Sequence, residues 1–290
     1  MNEVAIMVAP NGARRTKADH PAIPLSPAEL GLTAQACRLS GAGAIHVHVR
    51  DGRGGHALDA RTYAEAIGQI GERCAGDMAV QVTTEAAGLF DLGAQVALAR
   101  SLRPANLSFA LRELFVDGPE PALAFLRWAA ETGMAIQFIL YDLEDVSAFA
   151  RLRERGGLKG DGKPRVLLVV GRYDAAQNAS TEAFDTLFEG FAAAGLHETT
   201  VWMTCAFGRG ELACLERSIE RGGHVRVGFE NAVVDADGNP ARDNAQRVAL
   251  VADLVRRHGK AVASPSRTAA ILGMRSLAPL LPGEGAFAPG

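Results

Sequence analysis

Several easy assignments are excluded by what these 290 residues lack. No apolar run approaches the roughly 20 residues a membrane-spanning helix needs. The four cysteines, Cys37, Cys74, Cys205 and Cys214, show no CxxC spacing. That argues against a zinc ribbon or dithiol redox motif and for reduced core thiols in a cytoplasmic protein. The net charge of −3 gives no basic surface for nucleic acid or an anionic membrane, so neither is an expected partner. Met1-Asn2-Glu3 has no basic region ahead of an apolar stretch, so a secretory leader is not expected. The first strand-like run is followed by Pro10-Asn11-Gly12-Ala13-Arg14-Arg15, which lacks the glycine-rich turn of a dinucleotide fold.

What is present is a regular alternation. Apolar, β-rich runs are predicted as strands over residues 4–9, 44–49, 78–83, 106–109, 135–140, 166–170, 199–204 and 224–229. Several are apolar throughout, as parallel strands covered on both faces are. Helical patterns lie between them, over residues 60–73, 89–102, 121–132, 146–156, 181–194, 210–221 and 244–259. Another starts at Pro27-Ala28-Glu29-Leu30, behind Ser26 as N-cap and with Glu29 placed for a capping box. Eight strands each followed by a helix predict a (β/α)₈ TIM barrel rather than an open doubly wound sheet. One barrel domain over residues 1–290 is expected, with a C-terminal tail from about residue 264 that ends aperiodically through Pro282-Gly283-Glu284-Gly285.

Barrel chemistry gathers at the C-terminal ends of the strands and in the loops after them. In Ala44-Ile45-His46-Val47-His48-Val49-Arg50-Asp51, His46 and His48 fall on one strand face, roughly 6–7 Å apart at the backbone. Two imidazoles at that spacing either hold one small cation or are core histidines with polar partners. Glu230 ends the apolar run that begins at His224 and shares a strand face with Arg226. A buried carboxylate needs a partner, so Glu230 is either paired with an arginine or a third metal ligand. Two histidines and a glutamate with an open position is a catalytic rather than a structural zinc pattern. Thr83, Thr84, Glu85, Asn106, Ser108, Tyr141 and Asp142 fall at or near other strand ends, and Arg14 and Arg15 lie in the first loop. His224 is expected near the barrel floor, and His20, His56, His197 and His258 on the surface.

Three segments, NGARRTKADHPAIPLSPAEL, GAGAIHVHVRD and GGHVRVGFEN, resemble the beta-keto acid cleavage enzyme family, and the similarity runs from about Ala5 to about Leu272. The resemblance implies a homo-oligomeric barrel, dimer or tetramer, with zinc held by His46, His48 and Glu230. The implied reaction joins a beta-keto acid to acetyl-CoA by a Claisen-type condensation and retro-Claisen cleavage, giving acetoacetate and a new acyl-CoA. Thr83 and Ser108 match family hydroxyls that hold the substrate, with Thr84 and Asn106 beside them, and Arg226 matches an arginine that stabilises an oxyanion or orients a base.

The chain departs from the family pattern in four places. Asn231 stands where other members carry an aspartate base, and an amide takes up no proton at neutral pH. Glu85 replaces a glycine and is the candidate substitute. A glutamate pair on the fifth strand is replaced by Gln137 and Ile139. Specificity shifts too: Arg14 and Arg15 align with a loop glutamate that meets an amino group, which favours a neutral or anionic distal end such as that of 3-oxoadipate. The competing expectations are a metal-dependent barrel aldolase or hydrolase, and a non-catalytic metal- or ligand-binding relative.

Overall fold

The computed structural model describes residues 2–158, 162–172 and 178–277. Eight parallel strands close into a barrel in sequential order. They are β1 (Ile6–Val8), β2 (Ala44–Val47), β3 (Ala79–Thr83), β4 (Asn106–Ala110), β5 (Ala135–Leu140), β6 (Arg165–Val170), β7 (Val201–Ala206) and β8 (His224–Val227). Eight principal helices follow them in turn: α1 (Pro27–Leu39), α2 (Ala60–Arg73), α3 (Leu92–Leu102), α4 (Pro119–Glu131), α5 (Leu143–Glu154), α6 (Thr181–Ala193), α7 (Glu211–Glu220) and α8 (Asn244–Arg257). The expected (β/α)₈ barrel is what the chain forms. The aperiodic stretch Pro282-Gly283-Glu284-Gly285 lies outside the described residues.

Local chemistry sets the element boundaries. Ser26 accepts from the Glu29 amide while Glu29 Oε2 accepts from the Ser26 amide, closing the expected capping box on α1. Helix α3 starts three residues later than its periodicity suggests because Asp91 is its N-cap. Helix α5 starts earlier than expected because Asp142 accepts from the amides of Glu144 and Asp145, each at 3.0 Å. Strand β7 begins at Val201 because Leu196–Thr199 forms a short helix first. Strand β8 stops at Val227, two residues short of its predicted end. The reason is Gly228, at φ +147°, where a Cβ would meet Ala9 O at 2.4 Å.

Strand residues facing outward pack with the helices in one large apolar cluster. Inside the barrel, Ala5, Met7, Ala44, Ala79, Leu167 and Met203 form a separate cluster with Ala269, Leu272 and Met274. The last three belong to, or directly follow, the helix Pro265–Leu272, which plugs the barrel floor. Small side chains on β2 and β3 leave room for that plug. The parallel pairing of Glu3–Val4 with Ala261–Val262 ties down the chain leading into it. With the floor filled, the C-terminal end is the end open to chemistry.

The plug sets a strict size limit at Gly43, where an added Cβ would lie 2.3 Å from Thr268 Oγ1. Gly43→Ala is expected to destabilise the protein by about 1–3 kcal/mol through overpacking, read as a lower urea midpoint at unchanged slope. An unchanged midpoint would show that the plug helix yields freely.

Candidate active site

Three segments build the site at the barrel mouth. His46 lies on β2, and His48 just beyond it, where the chain peels away into the antiparallel pair Val49–Arg50 with His56–Ala57. Asn11, in the loop after β1, replaces lost strand pairing there: its amide donates to His48 O at 2.8 Å and to Pro24 O at 3.0 Å. Glu230 follows the Gly228 turn, with its amide donating to Ala9 O at 3.0 Å. The Asn244 side chain fixes the same turn, accepting from Phe229 N at 2.8 Å and donating to Pro10 O at 3.1 Å. Beneath the turn, the buried pair Glu211 and Arg247 is bonded together, and Glu211 accepts from Gly228 N at 3.4 Å.

The ligand-bearing atoms converge. His46 Nε2 and His48 Nε2 are 3.1 Å apart, and Glu230 Oε2 lies 3.6 Å from the first and 3.4 Å from the second. Tetrahedral zinc with bonds of about 2.0 Å has ligand–ligand edges of about 3.3 Å. Gln81 gives its amide nitrogen to Gln137 Oε1 at 3.1 Å, so its oxygen faces His46 and accepts from Nδ1 at 2.8 Å. That leaves the His46 Nε2 lone pair aimed at the triad. Among the described residues, Glu230 Oε2 has no hydrogen-bond donor, although it is buried. Two facing imidazole nitrogens and a carboxylate oxygen are a donor set that a divalent cation would satisfy.

Electrostatics support that role. Burial pushes His46 down to about 3, helped by the nearby Arg226 charge, so its imidazole is neutral and ready to ligate. Burial opposes ionisation of Glu230. Arg226 and the two histidines outweigh it and hold the carboxyl well below the usual range. Arg226 donates through Nη2 to Glu230 Oε1 at 2.8 Å and to Cys205 Sγ at 3.3 Å. Its Nε and Nη1 are buried without a partner among the described residues.

The pocket beside the triad is lined by Thr83, Glu85, Ser108, Tyr141, Arg172 and Arg226, among others. Thr83 Oγ1 accepts from Glu85 N at 3.0 Å, leaving its proton to donate, and Ser108 Oγ has no partner among the described residues. Glu85 bridges two groups: Oε2 lies 3.8 Å from His48 Nε2, and Oε1 accepts from Arg172 at 3.2 Å. Other expected site residues stand elsewhere. Asn106 is the first residue of β4, near the floor, where it bonds to Val80 O and to both backbone polar atoms of Arg275. Thr84 faces away and donates to Ser108 O at 2.9 Å. Arg14 is exposed, and Arg15 spends its guanidinium on Phe229 O and Asn231 O, at 2.7 and 3.2 Å. The Asn231 side chain is buried outside the pocket lining, with no hydrogen bond among the described residues.

One surface assignment needs correction. His56 is buried, its ring 5.2 Å from that of His48, and its Nε2 donates to Glu85 O at 2.8 Å. The hairpin after β2 folds it back onto the site, which loop-like composition does not reveal. Gln81, Arg172 and Glu113, which also borders the pocket, were not anticipated. A signal existed for Gln81: it alternates with Thr83 in an otherwise apolar strand, so both face the barrel interior. Arg172 had only its place just after a strand.

A parallel barrel with two imidazoles, a carboxylate and a buried arginine at its mouth is the framework of an enzyme in which His46, His48 and Glu230 could hold a metal ion. The beta-keto acid cleavage enzyme family model matches residues 3–274, and the chain belongs to that family. It is 28% identical to the 3-keto-5-aminohexanoate cleavage enzyme of Fusobacterium nucleatum, over 95% of this chain and 99% of that one. It is also 28% identical to the 3-oxoadipate:acetyl-CoA acetyltransferase of Cupriavidus necator, over 94% and 95% of the two chains. Among solved structures, the complex of ObcA with oxaloacetate superposes with a TM-score of 0.71 at 17% identity, over 88% of this chain and 68% of that one, a likeness of fold.

Burial also lowers His56 and His224, each to about 4. In metal-free protein at pH 5, ring NMR signals of His46, His56 and His224 are therefore expected to report the neutral form. A transition near the ordinary histidine value of about 6.5 at any of the three would contradict this.

Proposed function

We propose that this protein condenses a beta-keto acid with acetyl-CoA and cleaves the adduct to acetoacetate and a new acyl-CoA, at a zinc ion held by His46, His48 and Glu230. The observation that carries the reading is the convergence of those three ligands with Arg226 in a chain of this family. The names of relatives support the acyl-transfer class: one is a 3-oxoadipate:acetyl-CoA acetyltransferase, another a 3,5-dioxohexanoate:acetyl-CoA acetone transferase from Paraburkholderia graminis. When bound, zinc supplies Lewis-acid stabilisation of negative charge as the substrate α-proton leaves.

The chain's own groups do the rest. The unused Nε and Nη1 of Arg226 and the hydroxyls of Thr83 and Ser108 hold the substrate carboxylate and orient the α-carbon. Asn231 cannot accept a proton, so the base is Glu85, whose carboxylate faces the triad. Glu85 takes the α-proton, and the α-carbon bonds to the acetyl carbonyl as CoA thiolate leaves. The thiolate then attacks the original keto carbonyl. The carbon–carbon bond next to it breaks, and the released acetoacetate carbon recovers a proton from Glu85. The tail of the substrate is neutral or anionic, and the working form is a homo-oligomer, dimer or tetramer.

The test is acetoacetate release from a panel of beta-keto acids with acetyl-CoA. Chelation should abolish it, added zinc should restore it, and Glu85→Gln should lower kcat by about 100-fold or more. Turnover without any CoA ester would instead indicate an aldolase or hydrolase. Zinc binding without turnover of any keto acid would indicate a binding protein.

A further inference from the structure

We propose that Arg172 receives the distal carboxylate of the substrate, which makes this protein selective for beta-keto diacids. The inference rests on the function proposed above and assigns the specificity of the same site.

Barrel topology places the residue. The closed strand order sets β6 four strands from β2 in either direction, so Arg172, just past β6, faces the His46–His48 wall from the opposite side of the mouth. A keto acid held at its head by Arg226, Thr83 and Ser108 near the triad extends its tail towards that side. Among the described residues, Arg226 and Arg172 are the two cationic side chains lining the pocket. Arg226 is bonded to Glu230 beside the substrate head, and Arg172 is the cation on the tail side of the pocket. Its guanidinium stands 5.3 Å over the Phe207 ring, a flat face that limits the directions its donors take.

The structure already shows a carboxylate seated on it. Glu85 Oε1 occupies Arg172 Nη2 at 3.2 Å, while its Oε2 faces His48. The guanidinium is thus oriented and largely desolvated, with a side-chain carboxylate in the place a substrate carboxylate takes. A diacid tail exchanges with Glu85 and frees that carboxylate towards the triad. A neutral tail leaves the ion pair intact and gains nothing from it. An ammonium tail meets two arginines. The first-loop arginines do not compete for this role, since Arg14 is exposed and Arg15 is bonded to backbone carbonyls.

The experiment is calorimetric titration of the zinc-loaded protein, without acetyl-CoA, with a beta-keto diacid and with its distal monoamide, which has the same shape without the charge. Wild type is expected to bind the diacid at least 10-fold tighter than the amide. Arg172→Gln should remove that preference, weakening the diacid by about 30-fold and the amide by less than about 3-fold. Arg172→Lys should restore part of it, and Arg14→Gln should leave the ratio at its wild-type value. Equal binding of the two ligands by wild type, or an unchanged ratio in Arg172→Gln, overturns the assignment. Tight, Arg172-dependent diacid binding without any acetoacetate on adding acetyl-CoA would sustain the assignment and overturn the reaction proposed above.

Discussion

The ion pair between Arg226 and Glu230 is the contact on which the barrel mouth depends. It joins the end of β8 to the residue beyond the Gly228 turn and commits Oε1 of the carboxylate to the arginine. The second oxygen is thereby directed at the two histidines from β2. Burying both charges is costly, and the pair alone does not explain why the site retains them. A cation at the triad, as proposed above, would account for them: it would satisfy the orphaned oxygen and take the place of the 3.1 Å contact between the two imidazole nitrogens.

Supports extend from this contact in two directions. Below it, Gln81 and Gln137 form an uncharged chain that fixes the His46 tautomer. The family resemblance implies a charged pair where Gln137 and Ile139 stand. Amides can orient the imidazole without adding negative charge beneath the triad. Above it, the loop after β1 braces both ligand segments: Asn11 holds His48, and the Ala9 carbonyl holds Glu230. The triad therefore spans β2 and the end of β8, the two strands that flank β1, and the segment after β1 ties both ligand-bearing segments to one brace.

Much of this was legible in the sequence because burial writes itself into pattern. Runs such as Val166-Leu167-Leu168-Val169-Val170 are too apolar for anything but a covered strand, and Ser26-Pro27-Ala28-Glu29 spells out a capped helix start. His46, His48 and Glu230 could be grouped because polar residues at the ends of apolar strands need partners. Depth along a strand was less legible. Asn106 and Ser108 share a face by alternation, yet one reaches the floor and the other the pocket, because the pattern carries no height above the barrel base. The direction of loop side chains was not legible at all. Arg14 and Arg15 carry the right charge for an anionic substrate but turn to solvent and backbone, whereas Arg172 enters the pocket with no motif around it. His56 misled for the same reason, since only the hairpin pairing returns it to the site.

The most direct test of the account is X-ray absorption spectroscopy at the zinc edge on the protein loaded with one equivalent of zinc. The account predicts one ion per chain bound by two imidazole nitrogens and one carboxylate oxygen at about 2.0–2.1 Å, with any remaining ligand a light oxygen donor. Sulfur ligation, or a spectrum unchanged when Glu230 and His46 are both replaced by alanine, would place the ion elsewhere and contradict it.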